Sequence, residues 1–446
     1  MGFLFSFAAV KLKSFKLVPV LIATVTIALT CFFQSQWFIR QADFFEQLEW
    51  RTYDFRMKQA ARIPHPIATN LAAVFIDEES LETINEAYQF TWPWPRFLHG
   101  RLVNELAAED ATVVGFDILF KEIHPAEAVT DVKVSASETM SSDEYFSTEI
   151  RKSSNTVLAA MSETTEGKWE PILPADLFLT NALAVGHITT DKDSDGVLRR
   201  ALAFRDVPGH GRIWHMAIIL AARSLGLDLS KAEVNHGKIT LRGNGVKRVI
   251  PIDAQNFFYI DWSIPWNDVR MASASYPVLL NLNTFRRTGH PEKISEYLNE
   301  LRAAGKTNLF GDAPFKDKIV VVGATAAGNN ISDVGATPLS KETYLVSKHW
   351  NIVNSIITNQ FIRRSSYLVD LLLIIFMGIL AAVLTLKLRA VSASISVITV
   401  LVFYIAAAFF LFIQFRYWIP IVLPMTGAML MTHVCMVTYR VRVEQK

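Results

Sequence analysis

Cysteine is almost absent from this chain of 446 residues, which has only Cys31 and Cys435. Both lie in apolar stretches near the ends, so the middle holds neither a disulfide framework nor a cysteine-bound metal. Net charge is equally slight, +2 at pH 7, which removes any bulk electrostatic case for nucleic acid. Enzyme signatures are missing too: there is no His-Glu-x-x-His, no Cys-x-x-Cys and no Gly-x-Ser-x-Gly. No internal repeat is visible, and no motif implies a cofactor.

Charged residues make up 19% of the chain and hydrophobic ones 51%, with the surplus near the two ends. Residues 17–39 carry no charge and are long enough to cross the roughly 30 Å hydrocarbon core of a bilayer. Phe32, Phe33, Trp37 and Phe38 follow where a cleaved signal peptide ends in small residues. An uncleaved anchor with an aromatic belt fits better. Three more apolar runs, 367–386, 393–413 and 418–439, predict three further spans joined by short links. Lys11, Lys13, Lys16, Lys387, Arg389, Arg440 and Arg442 fall on one side of an alternating topology, and Arg40, Arg363, Arg364 and Arg416 on the other. Basic residues favour the cytoplasm. Both termini are therefore expected inside and residues 40–366 outside, with 367–439 back in the bilayer and 440–446 opening a cytoplasmic linker. Asp370 falls near the outer end of its span, where a carboxylate can reach water.

Within 40–366 a helix is expected over 44–62, with Phe45, Leu48, Thr52 and Phe55 on one face. Short apolar runs at 71–76, 112–116, 157–161 and 318–322 read as buried strands. Asp77 and Asp117 close the first two and Gly323 the last. A helix at 95–106 carries Leu98, Leu102 and Leu106. This texture predicts an α/β domain with a mainly parallel or mixed sheet. Residues 125–155, rich in Ser, Thr, Asp and Glu, read as a surface excursion. Short alternating runs in 229–262 predict antiparallel strands, and 265–316 reads as a polar insertion with a helix at 294–304.

Carboxylates at strand ends invite a ligand, because open α/β sheets bind outside the carboxyl ends of their strands. Asp77, Asp117 and the turn residue Asp195 are such candidates, and the competing reading is that each caps a helix or shapes a turn. Trp92-Pro93-Trp94-Pro95-Arg96 is either a rigid aromatic rim with a cation or a plug packed on the core. Gly323-Ala324-Thr325-Ala326-Ala327-Gly328 is a glycine-bounded turn without the ending of a phosphate loop. His349 falls on an amphipathic helix, 346–361, as a half-buried histidine. The expected ligand-binding set is Asp77, Ser80, Trp92, Trp94, Arg96, Asp117, Asp195, Arg199 and Thr325. Asp77, Arg96 and Asp117 are expected near one another.

In this order the motifs resemble a CHASE type 2 domain, an extracytoplasmic sensing domain of bacterial receptors. The matching stretches are Val74-Phe75-Ile76-Asp77-Glu78-Glu79-Ser80-Leu81, Trp92-Pro93-Trp94-Pro95-Arg96 and Val113-Val114-Gly115-Phe116-Asp117-Ile118-Leu119-Phe120. Gly186-His187, Asp195-Gly196-Val197-Leu198-Arg199-Arg200 and Ile319-Val320-Val321-Val322-Gly323-Ala324-Thr325-Ala326 follow. The family's glycine-valine-histidine segment is altered here to Tyr344-Leu345-Val346-Ser347-Lys348-His349. The resemblance implies an inner-membrane receptor, expected to be a homodimer, that senses an unknown extracytoplasmic ligand. It also implies a cytoplasmic effector in cis or in trans, most similar to a class III adenylate cyclase. A membrane-anchored scaffold is the alternative expectation.

Overall fold

The computed structural model describes residues 4–39, 44–124, 131–133, 139–165, 168–326 and 331–444. Arg40, Ala327, Gly328 and Lys446 lie outside the described residues, as do 125–130 and 134–138 of the expected excursion. In chain order the principal elements open with α1 (Leu4–Ile39), α2 (Phe44–Ala60), β1 (Leu71–Ile76), α3 (Glu78–Tyr88), α4 (Arg96–Ala108), β2 (Val113–Phe116) and α5 (Ser142–Ser153). Then come β3 (Thr156–Thr165), β4 (Lys168–Ile172), β5 (Ala184–His187), α6 (Met216–Leu225), β6 (Ala272–Ser275), α7 (Tyr276–Arg287), α8 (Lys293–Ala303), β7 (Ile319–Ala324) and α9 (Ser347–Thr358). The helices α10 (Tyr367–Lys387), α11 (Ala390–Phe415) and α12 (Met431–Glu444) close the chain. Two compact units result, Pro64–Phe361 and the pair Met1–Ile63 with Ile362–Lys446.

The Pro64–Phe361 unit is mixed α/β. Its main sheet runs β6-β1-β7-β2-β3-β4, with β5 also on β3. All neighbours are parallel except β3 and β4. β1, β2 and nearly all of β7 are buried on both faces, which is why they read as unbroken apolar runs rather than alternating ones. Val74, Ile76, Val114, Phe116, Val320 and Val322 share one core with Leu98, Leu102, Phe146, Ile150, Leu279 and Leu282. On the opposite face α6 lies directly on the sheet. A Cβ at Gly186 would stand 2.5 Å from the Met216 Cα, and one at Gly115 2.9 Å from a Leu220 methyl.

Several expectations are corrected here. Residues 142–153 are a helix with a capping box from Ser141 and Glu144, and Tyr145, Phe146 and Ile150 are buried. Its polar surroundings hid that short apolar face. The supposed insertion at 265–316 supplies the edge strand β6 and the core helix α7. Antiparallel pairing at 229–262 is present, as Glu233–Asn235, Lys238–Gly243 and Val246–Pro251.

In the other unit, three helices are long and apolar enough to cross a membrane: Leu17–Ser35, Tyr367–Lys387 and Ala390–Phe415. The fourth expected run instead opens on Tyr417–Trp418, which pairs with Arg363–Arg364, and continues as a π-helix at Leu423–Leu430 and then α12. Small residues bring helices close: a Cβ at Gly378 would stand 2.3 Å from Ile27, and one at Gly427 2.7 Å from Thr30. Polar side chains bridge them. Thr26 meets Thr432 at 2.6 Å, Gln34 donates to Asp370 at 3.2 Å, and His433 lies between Thr385 at 2.8 Å and Ser394 at 3.0 Å.

The buried face of α2 is not the expected one. Phe55 is exposed, and Glu49, Trp50, Tyr53, Arg56, Met57 and Ala60 are buried. Glu49 accepts from Arg56 at 2.8 Å, from Trp418 at 3.1 Å, and from the amides of Ile421 and Val422 at 2.9 Å each.

Candidate functional site

The register sets Ile76 opposite Ala324 and Phe116 opposite Val322, with β7 between the two strands. Asp77, Thr325 and Asp117 therefore leave the same edge of the sheet, at the carboxyl ends of three adjacent strands. Two strand spacings separate the two aspartates, roughly 10 Å.

Asp77 is the N-cap of α3. Its carboxylate accepts from the Ser80 amide at 2.9 Å and the Ser80 hydroxyl at 2.6 Å, and from Ser275 at the end of β6. Ser80 is fully buried by this arrangement. Thr325 is almost buried, and its amide donates to Ile76 at 2.9 Å.

Asp117 meets a different set of groups. His349 Nε2 in the first turn of α9 lies 3.2 Å from its carboxylate. Burial pushes the Asp117 carboxyl up, but the Lys348 charge and the His349 ring beside it outweigh this and hold the group below its ordinary range. Beyond His349 the His215 ring is 5.4 Å away, and beyond that His187 at 5.1 Å. The three imidazoles are 3% exposed or less. His215 Nδ1 accepts the Ala217 amide at 3.2 Å. Among the described residues, both nitrogens of His187, Nε2 of His215 and Nδ1 of His349 have no hydrogen-bond partner. Lys348, equally buried, donates to Thr190 at 2.9 Å.

Burial depresses all three histidines, His187 to about 3, His215 well below its ordinary value, and His349 less far because Asp117 opposes the effect. The nest is thus a set of buried imidazoles near Asp117 and Lys348, whose ring nitrogens can give or take hydrogen bonds. Among the described residues no group of three or more His, Cys, Asp or Glu is arranged to hold a metal ion.

The remaining expected residues meet other groups. Trp94 is wholly buried, its ring 5.0 Å from Tyr276, with Trp92 edge-on at 5.1 Å. Together they plug the core at the start of α4. The Arg96 guanidinium lies over the Phe120 ring at 4.8 Å, and its Nε has no hydrogen-bond partner among the described residues. Burial lowers the Arg96 pKa, with Asp143 and Glu122 opposing. Its charge thus stacks on a ring beside Asp143, and the tryptophans pack into the core rather than around the aspartates. Arg199 is buried and bidentate on Asp195, at 2.9 and 2.7 Å, with Asp193 at 3.1 Å. Burial raises the Asp195 carboxyl, and the bonds and charge of Arg199 more than reverse this. That cluster closes a turn.

Sequence reasoning passed over His215, and quoted His187 and Lys348 only as motif letters. His349 is fully buried rather than half-buried. A histidine opening each of two apolar helices was the available signal. A family model described as a CHASE2 domain matches residues 24–384. No curated protein and no solved structure matches the chain.

Proposed function

The chain belongs to the CHASE2 domain family, a family of sensor domains, and from that premise we propose that it is a transmembrane receptor module. It perceives an extracytoplasmic signal through the α/β unit and regulates a cytoplasmic effector, an adenylate or guanylate cyclase in this reading. The observation that carries the proposal is the extent of the family match. It takes in the folded α/β unit together with apolar helix on both sides of it. A membrane protein with a sensor domain follows.

The finer parts of the reading are proposals as well. The π-helix and α12 make a fourth crossing, both termini are cytoplasmic, and residues 40–366 face outward. The basic residues near the ends of the apolar runs support this arrangement. Ligand recognition is assigned to the carboxyl edge of the sheet, at Asp77, Ser80, Thr325 and Asp117, with the imidazole nest beneath Asp117. The receptor works as a homodimer, as class III cyclases generally do, and its ligand biases the effector only through a difference in affinity between two arrangements.

The test joins the chain to a class III cyclase domain after Lys446 and screens metabolites added outside the membrane. A signal-dependent change in cyclic nucleotide formation, abolished by substitutions at Asp117 and His349 that leave the protein folded, is the expected result. An output insensitive to every added compound, or an exported-only reporter that is silent after Gly209, removes the receptor reading.

A further inference from the structure

On the side of α4 away from the strand-end cluster, the helix carries two acids one turn apart. Glu105 and Glu109 are 0% and 1% exposed. One guanidinium serves both: Arg286 Nε donates to Glu105 at 2.7 Å, and its Nη2 reaches Glu109 at 3.3 Å. Arg286 also donates to the Asp312 carbonyl at 2.7 Å, and the Phe315 amide donates to Glu109 at 2.8 Å. The Asp312 carboxylate is itself occupied by Ser295.

Two ionised carboxylates against one arginine leave a net negative charge out of water, and isolated buried charge is costly. The position makes it worse. Both acids lie at the carboxyl end of α4, where the helix dipole is negative. One carboxylate oxygen, Glu105 Oε2, is buried without a hydrogen-bond partner among the described residues. A carboxylate accepts at both oxygens, so an orphaned one marks a missing donor. A proton on the neighbouring acid supplies that donor and cancels the excess charge.

We propose that Glu105 and Glu109 bind one proton between them in the folded protein, and that losing it loosens the contact of α4 with α7 and the turn before β7. The proton is then a ligand of the outer domain, and external pH a signal. That last step rests on the receptor reading, whereas proton binding by the pair stands without it. Burial and the charge of Glu105 raise the Glu109 pKa to about 8, against the Phe315 amide and Arg286. On ionisation the two acids repel, and Glu109 is the member with a backbone partner to release, at Phe315. Phe315 leads into Asp317, whose amide donates to Asp110 at 3.1 Å, and then into β7, the strand that joins β1 to β2.

The test uses the full chain in nanodiscs. Infrared difference spectra between about pH 6.5 and pH 9 follow the carbonyl band of protonated carboxylic acid. Hydrogen exchange, corrected for intrinsic rate, follows peptides covering 276–287 and 308–318. A protonated-acid band that disappears on alkalinisation, and is missing from both E109Q and E105Q, is expected. Exchange in the two peptides should rise several-fold at the higher pH in the wild type and stay flat in E109Q, which keeps the shape of the protonated acid. Absence of the band in the wild type, or its survival in both variants, overturns the proton-binding pair. Wild-type exchange that ignores pH overturns the loosening. Neither result bears on whether the chain is a receptor.

Discussion

Glu49 and Arg56, two turns apart on α2, form a wholly buried ion pair at 2.8 Å. The second oxygen of Glu49 accepts the amides of Ile421 and Val422, the residues that open the π-helix. Arg56 in turn donates to the Ile419 carbonyl at 3.0 Å and lies over the Phe412 and Trp418 rings. A carboxylate from the start of the chain thus caps a helix near its end.

Removing one partner of such a pair strands the other. Glu49→Ala should cost about 3–5 kcal/mol, because it leaves Arg56 and two amides without their acceptor. Replacing both residues by apolar ones of similar volume should cost much less. Thermal unfolding of the purified chain in detergent compares the two. Equal losses for the single and double variants would mean that packing, not charge pairing, holds α2 there.

The imidazole nest makes an acid-side prediction. His187 has a folded pKa of about 3, against roughly 6.5 when unfolded. The unfolded chain therefore binds more protons below that value, and the stability held in full above pH 6.5 drains away as pH falls. The loss from His187 alone should reach about 2 kcal/mol by pH 5. His187→Gln should flatten that limb of a stability-versus-pH curve measured by denaturant titration. An unchanged slope in the variant would assign the acid sensitivity to other groups.

Asp77 is engaged as a helix cap, so Asp77→Ala should cost about 1 kcal/mol. Asp77→Asn should cost less, since an amide oxygen still accepts the Ser80 amide. Any ligand identified in a screen separates capping from recognition. A role confined to capping predicts that its affinity survives Asp77→Asn, and a binding role predicts that it does not.

Gly186 tests the seat of α6. Gly186→Ala places a methyl 2.5 Å from backbone, not from a yielding side-chain tip. The helix must shift, at a cost of about 1–3 kcal/mol or more. Because His215 immediately precedes α6, the same change should also disturb the nest. Histidine chemical shifts in a selectively labelled sample would register it.

What the residues disclosed in advance follows their physics. β1, β2 and β7 were legible because a doubly buried parallel strand is a short apolar run closed by a polar or glycine residue. β6 was not, since Ala272–Ser275 carries neither β-branched nor aromatic side chains. Pairing with β1 makes it a strand, not its own propensity. Asp77 and Asp117 were found because strand ends are written locally. The histidines beneath Asp117 come from three separate stretches, and only the topology assembles them. Glu49 and Arg56 escaped because charged residues on a helix default to its wet side, and no local pattern announces a buried pair.

The strand order also sets a clock. Among the described residues β1 pairs only with β6 and β7, and its register partner for Leu71 is Ile319. Chains grow at about 5–20 residues per second. On that scale β1 leaves the ribosome roughly 10–50 s before the strand that joins it to β2. Until β6 follows, Leu71–Ile76 has two open edges and no sheet to enter. A nascent chain stalled before residue 272 therefore presents an apolar strand to whatever it meets.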